Sequence, residues 1–134
     1  MYKTALNAAF LFAAISVILG AFGAHALQKM LDAKNLASFE TAVKYQMYHS
    51  FALAIAGCVY AYFPSKWVKR ASTMFIVGIT LFSGSIYTMV ALKSTGDIGL
   101  GKLGLITPIG GVFLILGWLF LLLGTNGSKG KVGE

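Results

Sequence analysis

The chain has 134 residues, of which 57% are hydrophobic and only 11% are charged, and its formal net charge is +7. Soluble domains carry about 25% charged residues, so this composition excludes an ordinary water-soluble domain. The basic residues are scattered around the ends of apolar segments, a placement that fits lipid headgroups and excludes a groove for nucleic acid.

Four stretches of the sequence contain no Lys, Arg, Asp or Glu and are long enough to cross a bilayer. A hydrocarbon core of about 30 Å is spanned by about 20 helical residues at ~1.5 Å per residue. The first stretch is longer than the roughly 7–15 apolar residues of a signal peptide, so we predict that it is a retained span. The stretches are residues 4–28, 45–65, 71–92 and 103–128, with 25, 21, 22 and 26 residues.

This pattern predicts an all-α integral membrane protein, a four-helix antiparallel bundle that forms a single domain over residues 1–134. Ser38 is the predicted N-cap of the second helix, because serine is favoured there and Glu40 suits the first turn. Residues 93–102, with three glycines, are predicted to form a flexible turn. We place the spans near residues 4–27, 38–64, 68–93 and 103–126.

The orientation of the bundle follows from its most basic connection. Residues 64–70 hold three positive charges in seven residues, between the second and third predicted spans. Short basic loops are retained on the cytoplasmic side of a membrane. We therefore predict that this connection and both termini are cytoplasmic.

Small residues recur at helical spacing in three of the predicted spans. Lipid gives helices no hydrophobic reason to associate, so helix packing in membranes relies on small residues that let backbones approach. Such faces serve either a homo-oligomer or contacts inside one chain, and we favour the internal contacts. The residues are Ser16, Gly20 and Ala24 in the first span, Ala52 and Ala56 in the second, and Gly110, Gly117 and Gly124 in the fourth.

Polar side chains concentrate at one end of the predicted bundle, where the first and third spans end and the second and fourth begin. Polar groups in hydrocarbon are costly unless they are partnered. We therefore predict that these groups converge, with His25 and His49 lining one cavity or hydrogen-bond network. Both a ligand pocket and a structural network between helices remain open. The candidate residues are His25, Tyr45, Gln46, His49, Ser83, Ser85, Tyr87 and Thr107.

Four ordered motifs carry a resemblance to a known family. They are GAFGAH at 20–25, YQMYH at 45–49, LFSGSIY at 81–87 and TPIGG at 107–111, followed by Gly117-Trp118. This set is similar to the YgdD/YwdK-type small bacterial membrane proteins, a family of unknown function with a small eukaryotic transmembrane branch. The resemblance covers about residues 13–118. It implies a multi-pass protein of the bacterial plasma (inner) membrane and brings no established activity, substrate or cofactor.

Three classes of function remain open. The first is a structural protein, or one that holds a lipid or another small ligand at the polar end. The second is a passive transporter or channel for a neutral solute, since the spans lack the charged residues of an ion path. The third is an enzyme or a haem or metal protein that uses His25 and His49.

The sequence contains no recognisable catalytic or cofactor motif. CxxCH, HExxH and GxSxG are absent, and two histidines without a nearby carboxylate or thiol are too few for a closed zinc site. We therefore assign no catalytic residue, metal or cofactor. The expected partners are membrane lipids, with a homo-oligomer through the small-residue faces as an option and no nucleic acid.

Overall fold

The computed structural model describes residues 1–96 and 103–126, and this part of the chain forms four helices and contains no strand. Short 3-10 helices precede the second and fourth of them. The prediction of an all-α four-helix protein is confirmed. The predicted turn at 93–102 falls, from residue 97 onward, outside the described residues. The helices are α1 (Lys3–His25), α2 (Ala33–Tyr62), α3 (Lys66–Ser94) and α4 (Ile106–Asn126).

The start of α2 differs from the prediction. The carboxylate of Asp32 accepts a hydrogen bond from the backbone N–H of Asn35 at 2.7 Å, so Asp32 is the N-cap. Ser38 lies inside the helix, where its hydroxyl donates to the Lys34 carbonyl at 3.0 Å. The predicted cap at Ser38 is wrong, because the carboxylate of Asp32 offers an earlier acceptor for the first turn. The helix therefore starts earlier than predicted, and both Asn35 and Ser38 are part of α2.

Each helix packs mainly against its neighbour in sequence, so the described helices form an open row and not a closed square. α2 lies between α1 and α3, and α1 and α4 lie at the two edges. At one end, the N–H of Tyr2 donates to the Gly57 carbonyl at 2.9 Å. At the other end, Gly23 lies against the ring of Phe39. α1 and α2 are therefore antiparallel along their length.

Three glycines of α4 let this helix approach α3 closely. A Cβ atom on Gly117 would lie 2.6 Å from the ring of Phe75, so the ring occupies the space that a side chain would need. The glycines and the α3 residues opposite them both recur every seven residues, which is the register of antiparallel helices that cross at a small angle. The interpretation of this stripe as an internal contact is confirmed. The pairs are Gly110 with Phe82, Gly117 with Phe75, and Gly124 with Val68.

Among the described residues, three segments are long and apolar enough to cross a membrane: Lys3–Lys29, Lys66–Lys93 and Leu103–Asn126. α2 is less apolar because polar side chains lie near its middle, but these side chains are buried against other helices. Since α2 lies between α1 and α3, the neighbouring helices cover these groups. The buried polar residues are Gln46, His49 and Ser50.

Candidate functional site

A hydrogen-bond network joins three helices at Gln46, whose side chain is 3% exposed. Its Nε2 donates to the Phe12 carbonyl of α1 at 2.8 Å, and its Oε1 accepts from the Tyr87 hydroxyl of α3 at 2.9 Å. A carbonyl only accepts and the phenol donates here, so this pattern fixes the orientation of the amide. Of the residues predicted to converge, Gln46 and Tyr87 are thus joined directly, as a connection between helices.

Two serines of α3 connect it to both of its neighbours. The hydroxyl of Ser83 donates to the Ala42 carbonyl of α2 at 2.7 Å. The hydroxyl of Ser85 donates to the Phe82 carbonyl at 2.9 Å and lies 2.6 Å from the Thr107 hydroxyl of α4. Because Ser85 has a single proton, Thr107 must be the donor to Ser85.

His49 lies in an aromatic cluster. Its Nδ1 is 2.7 Å from the Tyr45 carbonyl, which can only accept, so Nδ1 carries a proton. The imidazole stacks on Tyr45 with ring centroids 5.9 Å apart, and it lies 5.9 Å from Phe75 and 6.2 Å from Trp118. Tyr45 in turn stacks on Phe82 at 4.9 Å. These rings link α2, α3 and α4.

His25 lies apart from this cluster. It is the last residue of α1, it is exposed, and its imidazole makes no hydrogen bond within the described part of the chain. Gly23 lies against Phe39, ten residues before His49 on α2, which corresponds to a separation of about 15 Å along the helix. The prediction that the two histidines line one cavity is wrong, because the short connection between α1 and α2 places His25 beside the beginning of α2.

This separation bears directly on the haem or metal alternative. A haem held by two histidines of one chain needs both imidazoles on opposite sides of the same iron. His25 lies beside the beginning of α2 and His49 near its middle, so the two imidazoles are too far apart for that arrangement. The structure therefore does not support a haem or metal site shared by His25 and His49.

A cavity of about 430 Å³ opens at the polar end between α2, α3 and the beginning of α4, and we call it the end cavity. In the described part of the chain, one charged side chain lines it: the ammonium of Lys93 donates to Oδ1 of Asn35 at 3.4 Å. Asn35 is itself held by Asp32, since its Nδ2 donates to Oδ2 of Asp32 at 2.9 Å. The polar lining consists of Asn35, Ser38, Thr41, Lys93 and Thr107, and the apolar lining includes Phe82, Ile86, Met89 and Val90.

A second, largely apolar groove of about 370 Å³ lies between α1, α2 and α3 at the same end. Val90 of α3 lines both the groove and the end cavity. The two spaces therefore flank the last turns of α3. The groove is lined by Leu19, Phe22, Leu31, Phe39, Tyr87 and Val90, among others.

Most of the lining of the end cavity was missed by sequence reasoning. Of the predicted candidates, only Thr107 lines it, whereas Gln46, Ser83, Ser85 and Tyr87 are engaged in bonds between helices or within α3. The prediction placed residues 29–37 outside the second helix, so Asn35 could not be assigned to the bundle. The signal that was available is the pair Asp32 and Asn35, three residues apart, which is the spacing of an N-cap bond.

Four antiparallel helices with buried polar connections define a multi-pass α-helical membrane protein. Within that class, the chain belongs to the family described as "Protein of unknown function (DUF423)", which matches residues 19–111. The resemblance found in the four motifs is thereby confirmed, and so is the location in a membrane.

Relatives from several bacteria match nearly the whole chain. The chain is 43% identical to the UPF0382 membrane protein SAB0533 of Staphylococcus aureus, over 84% of this chain and 87% of that protein. It is 37% identical to a UPF0382 membrane protein of Haemophilus influenzae, over 84% and 86%. It is 36% identical to the UPF0382 inner membrane protein YgdD of Escherichia coli K12, over 90% and 91%. No solved structure matches the chain significantly.

Proposed function

We propose that the protein binds a membrane phospholipid, with the headgroup in the end cavity. The observation that carries this proposal is the two-part lining of that cavity. Hydroxyl groups and the Lys93 ammonium line it together with the apolar side chains of Ile86, Met89 and Val90. A phospholipid joins a polar, phosphate-bearing group to apolar chains, so its two parts match the two parts of this lining.

The position of Lys93 supports a headgroup at this level. The long apolar run of α3 ends at Lys93, and basic residues at the ends of spans lie among lipid headgroups. Its ammonium has one weak bond to Asn35 and no carboxylate partner in the described part of the chain. The amine therefore remains available to a phosphate.

The neighbouring apolar groove supports the placement of an acyl chain. It borders the end cavity at Val90 and presents leucine and aromatic side chains. A hydrocarbon chain in this groove would make the same dispersion contacts that it makes in the bilayer. The deeper polar groups, such as Gln46 and Tyr87, already bond to each other. The polar groups that a ligand can still reach are therefore those that line the end cavity.

Filling the end cavity should expel the lipid. Gly104 lines this cavity, and a Cβ atom built there meets nothing within 4 Å, so Gly104→Phe adds a ring without a backbone clash. We expect native mass spectrometry of protein purified in mild detergent to show bound phospholipid on the unmodified chain. Gly104→Phe should lower the bound fraction about tenfold or more, which corresponds to ~1.4 kcal/mol.

Gly84→Phe provides a matched control. Gly84 also has nothing within 4 Å of a built Cβ atom, but it lines a different groove between α1 and α3. This variant should retain the lipid of the unmodified protein. Equal lipid loss in both variants, or no bound phospholipid on any of them, would contradict the proposal.

We also propose that both termini are cytoplasmic, which places the end cavity on the other side of the membrane. The N-terminal end of α3 is basic, and the acidic residues of the described chain, Asp32 and Glu40, lie at the opposite end of the bundle. The ammonium of Lys69 lies 5.8 Å from the ring of Tyr2 and 5.3 Å from that of Tyr60. Basic residues concentrated in a short connection favour the cytoplasmic side.

Cysteine labelling of whole cells tests this orientation. Cys58 is exposed, so the background variant is Cys58→Ser. In that background, Thr95→Cys should react with a membrane-impermeant maleimide, whereas Pro64→Cys should react only after the membrane is opened. The reverse pattern would show that the protein has the opposite orientation, with the end cavity facing the cytoplasm.

A further inference from the structure

We infer that the end cavity selects phospholipids whose headgroup donates hydrogen bonds, an inference that rests on the proposed lipid binding. The reason is that the hydroxyl groups of the cavity donate their protons to other groups of the protein. Ser38 donates to the Lys34 carbonyl at 3.0 Å, and Thr41 donates to the Ala37 carbonyl at 2.9 Å. Each hydroxyl has one proton, so both oxygens have only lone pairs to offer a ligand.

Thr107 follows the same rule on the opposite wall of the end cavity. Its proton goes to Ser85 at 2.6 Å, because the proton of Ser85 is already donated to the Phe82 carbonyl. The oxygen of Thr107 therefore also remains an acceptor. Hydroxyls on two walls of the cavity, one set on α2 and one on α4, thus present acceptors to the space between them.

Lys93 adds the complementary group at the same level. An ammonium has three protons, and the contact with Asn35 occupies one of them. The cavity consequently combines the Lys93 ammonium and the second amide proton of Asn35 with three hydroxyl oxygens that can accept. A matching ligand carries a phosphate for Lys93 and hydroxyl or ammonium protons for Ser38, Thr41 and Thr107.

Glycerol and ethanolamine headgroups both meet this requirement. Each joins a phosphate to a group that donates hydrogen bonds, a glycerol hydroxyl in one and an ammonium in the other. A choline headgroup carries the same phosphate but replaces every donor proton by a methyl group. It would leave the three acceptors without partners while excluding water from them, and unpaired buried polar groups are penalised.

A competition among three phospholipids with identical acyl chains tests the inference. The delipidated protein would be mixed with equimolar phosphatidylglycerol, phosphatidylethanolamine and phosphatidylcholine in mild detergent, and the bound species counted by native mass spectrometry. We expect both donor lipids to exceed the choline lipid by about threefold or more, the ratio that corresponds to one hydrogen bond of average strength in a membrane protein.

Two substitutions separate the donor contacts from the phosphate contact. Thr107→Val removes an acceptor at nearly constant volume and should bring the three lipids toward equal binding. Ser38→Ala should do the same if Thr107→Val fails to fold. Lys93→Gln should weaken all three lipids together, because all of them carry the phosphate. Thr125→Val is the matched control, since Thr125 bonds only to carbonyls at the far end of α4.

The possible results fall into distinct groups. Preferential binding of both donor lipids supports the inference. Equal binding of all three, abolished by Gly104→Phe, overturns the selection but retains lipid binding in the cavity. A preference for phosphatidylglycerol alone, with the other two equal, also overturns it and indicates recognition of net charge. The absence of binding by any lipid would overturn the proposed function itself.

Discussion

Gly110→Ala is expected to destabilise the protein, whereas the same substitution at the adjacent Gly111 is not. A Cβ atom on Gly110 would collide with the backbone nitrogen of Phe82, and it would lie 2.8 Å from the Phe82 Cα and 2.9 Å from the Leu81 carbonyl carbon. These atoms belong to the backbone of α3, so no side-chain rotation relieves the collision. α4 must move away from α3, which breaks the glycine contacts along the interface.

The size of the effect follows from overpacking. Adding atoms to a well-packed interior costs about 1–3 kcal/mol, and a backbone collision belongs at the upper end of that range. At Gly111 the nearest atoms are ring carbons of Phe82 at 3.8 Å and 4.0 Å, which is an ordinary contact distance. Alanine is also the better helix former by about 1 kcal/mol, so Gly111→Ala should be neutral or stabilising.

Unfolding of the purified protein by sodium dodecyl sulfate in mixed micelles provides the measurement. Trp118 of α4 lies 5.4 Å from the ring of Phe75 on α3, so its fluorescence reports on this interface. Gly110→Ala should unfold at a lower detergent fraction than the unmodified protein, and Gly111→Ala at the same or a higher one. Equal midpoints for the two variants would show that α4 does not approach α3 as closely as described.

The sequence predicted the helices well where charge marks their ends. The spans predicted around the uncharged runs match α1, α3 and α4 to within three residues at each end, because charged side chains are excluded from the hydrocarbon core. The start of α2 carries polar and charged side chains through its first turns, so no such boundary exists. There the cap at Asp32 determines where the helix begins.

The candidate site was predictable in part. Antiparallel threading places the polar residues at one end of the bundle, and the structure joins two pairs of them, Gln46 with Tyr87 and Ser85 with Thr107. The depth of His25 depends on where α1 ends and how its connection turns, which periodicity does not specify. The arrangement of the helices in an open row also cannot be predicted from the sequence. The pattern of each helix identifies its apolar residues but not the helix that they contact.

Gln46→Leu should cause a second large loss of stability, since one side chain connects α2 to both α1 and α3. The substitution removes the bond to the Phe12 carbonyl and the bond to the Tyr87 hydroxyl. Hydrogen bonds between membrane helices contribute about 0.6 kcal/mol on average and up to ~1.7 kcal/mol. The Tyr87 hydroxyl keeps only its contact with Ser83, so we expect a total loss of about 1–3 kcal/mol in the same detergent titration.

Two further variants isolate the role of the network. Ser50→Ala is the matched control, because Ser50 is buried one turn from Gln46 but bonds only to the Gln46 carbonyl of its own helix, at 2.7 Å. Tyr87→Phe removes one of the two bonds and should cost about 1 kcal/mol. In the Gln46→Leu background, Tyr87→Phe should cost little or nothing further, because the bond between Tyr87 and Gln46 is already absent.

This non-additivity distinguishes a shared network from two independent polar residues. Independent residues would give costs that simply add, whereas a connected pair leaves the second substitution with no bond left to break. Additive costs, or a Gln46→Leu variant as stable as Ser50→Ala, would show that Gln46 does not join the three helices. Because α1 lies at the edge of the row and contacts mainly α2, loss of Gln46 should also release α1 first, making it the earliest segment open to proteolysis or amide exchange.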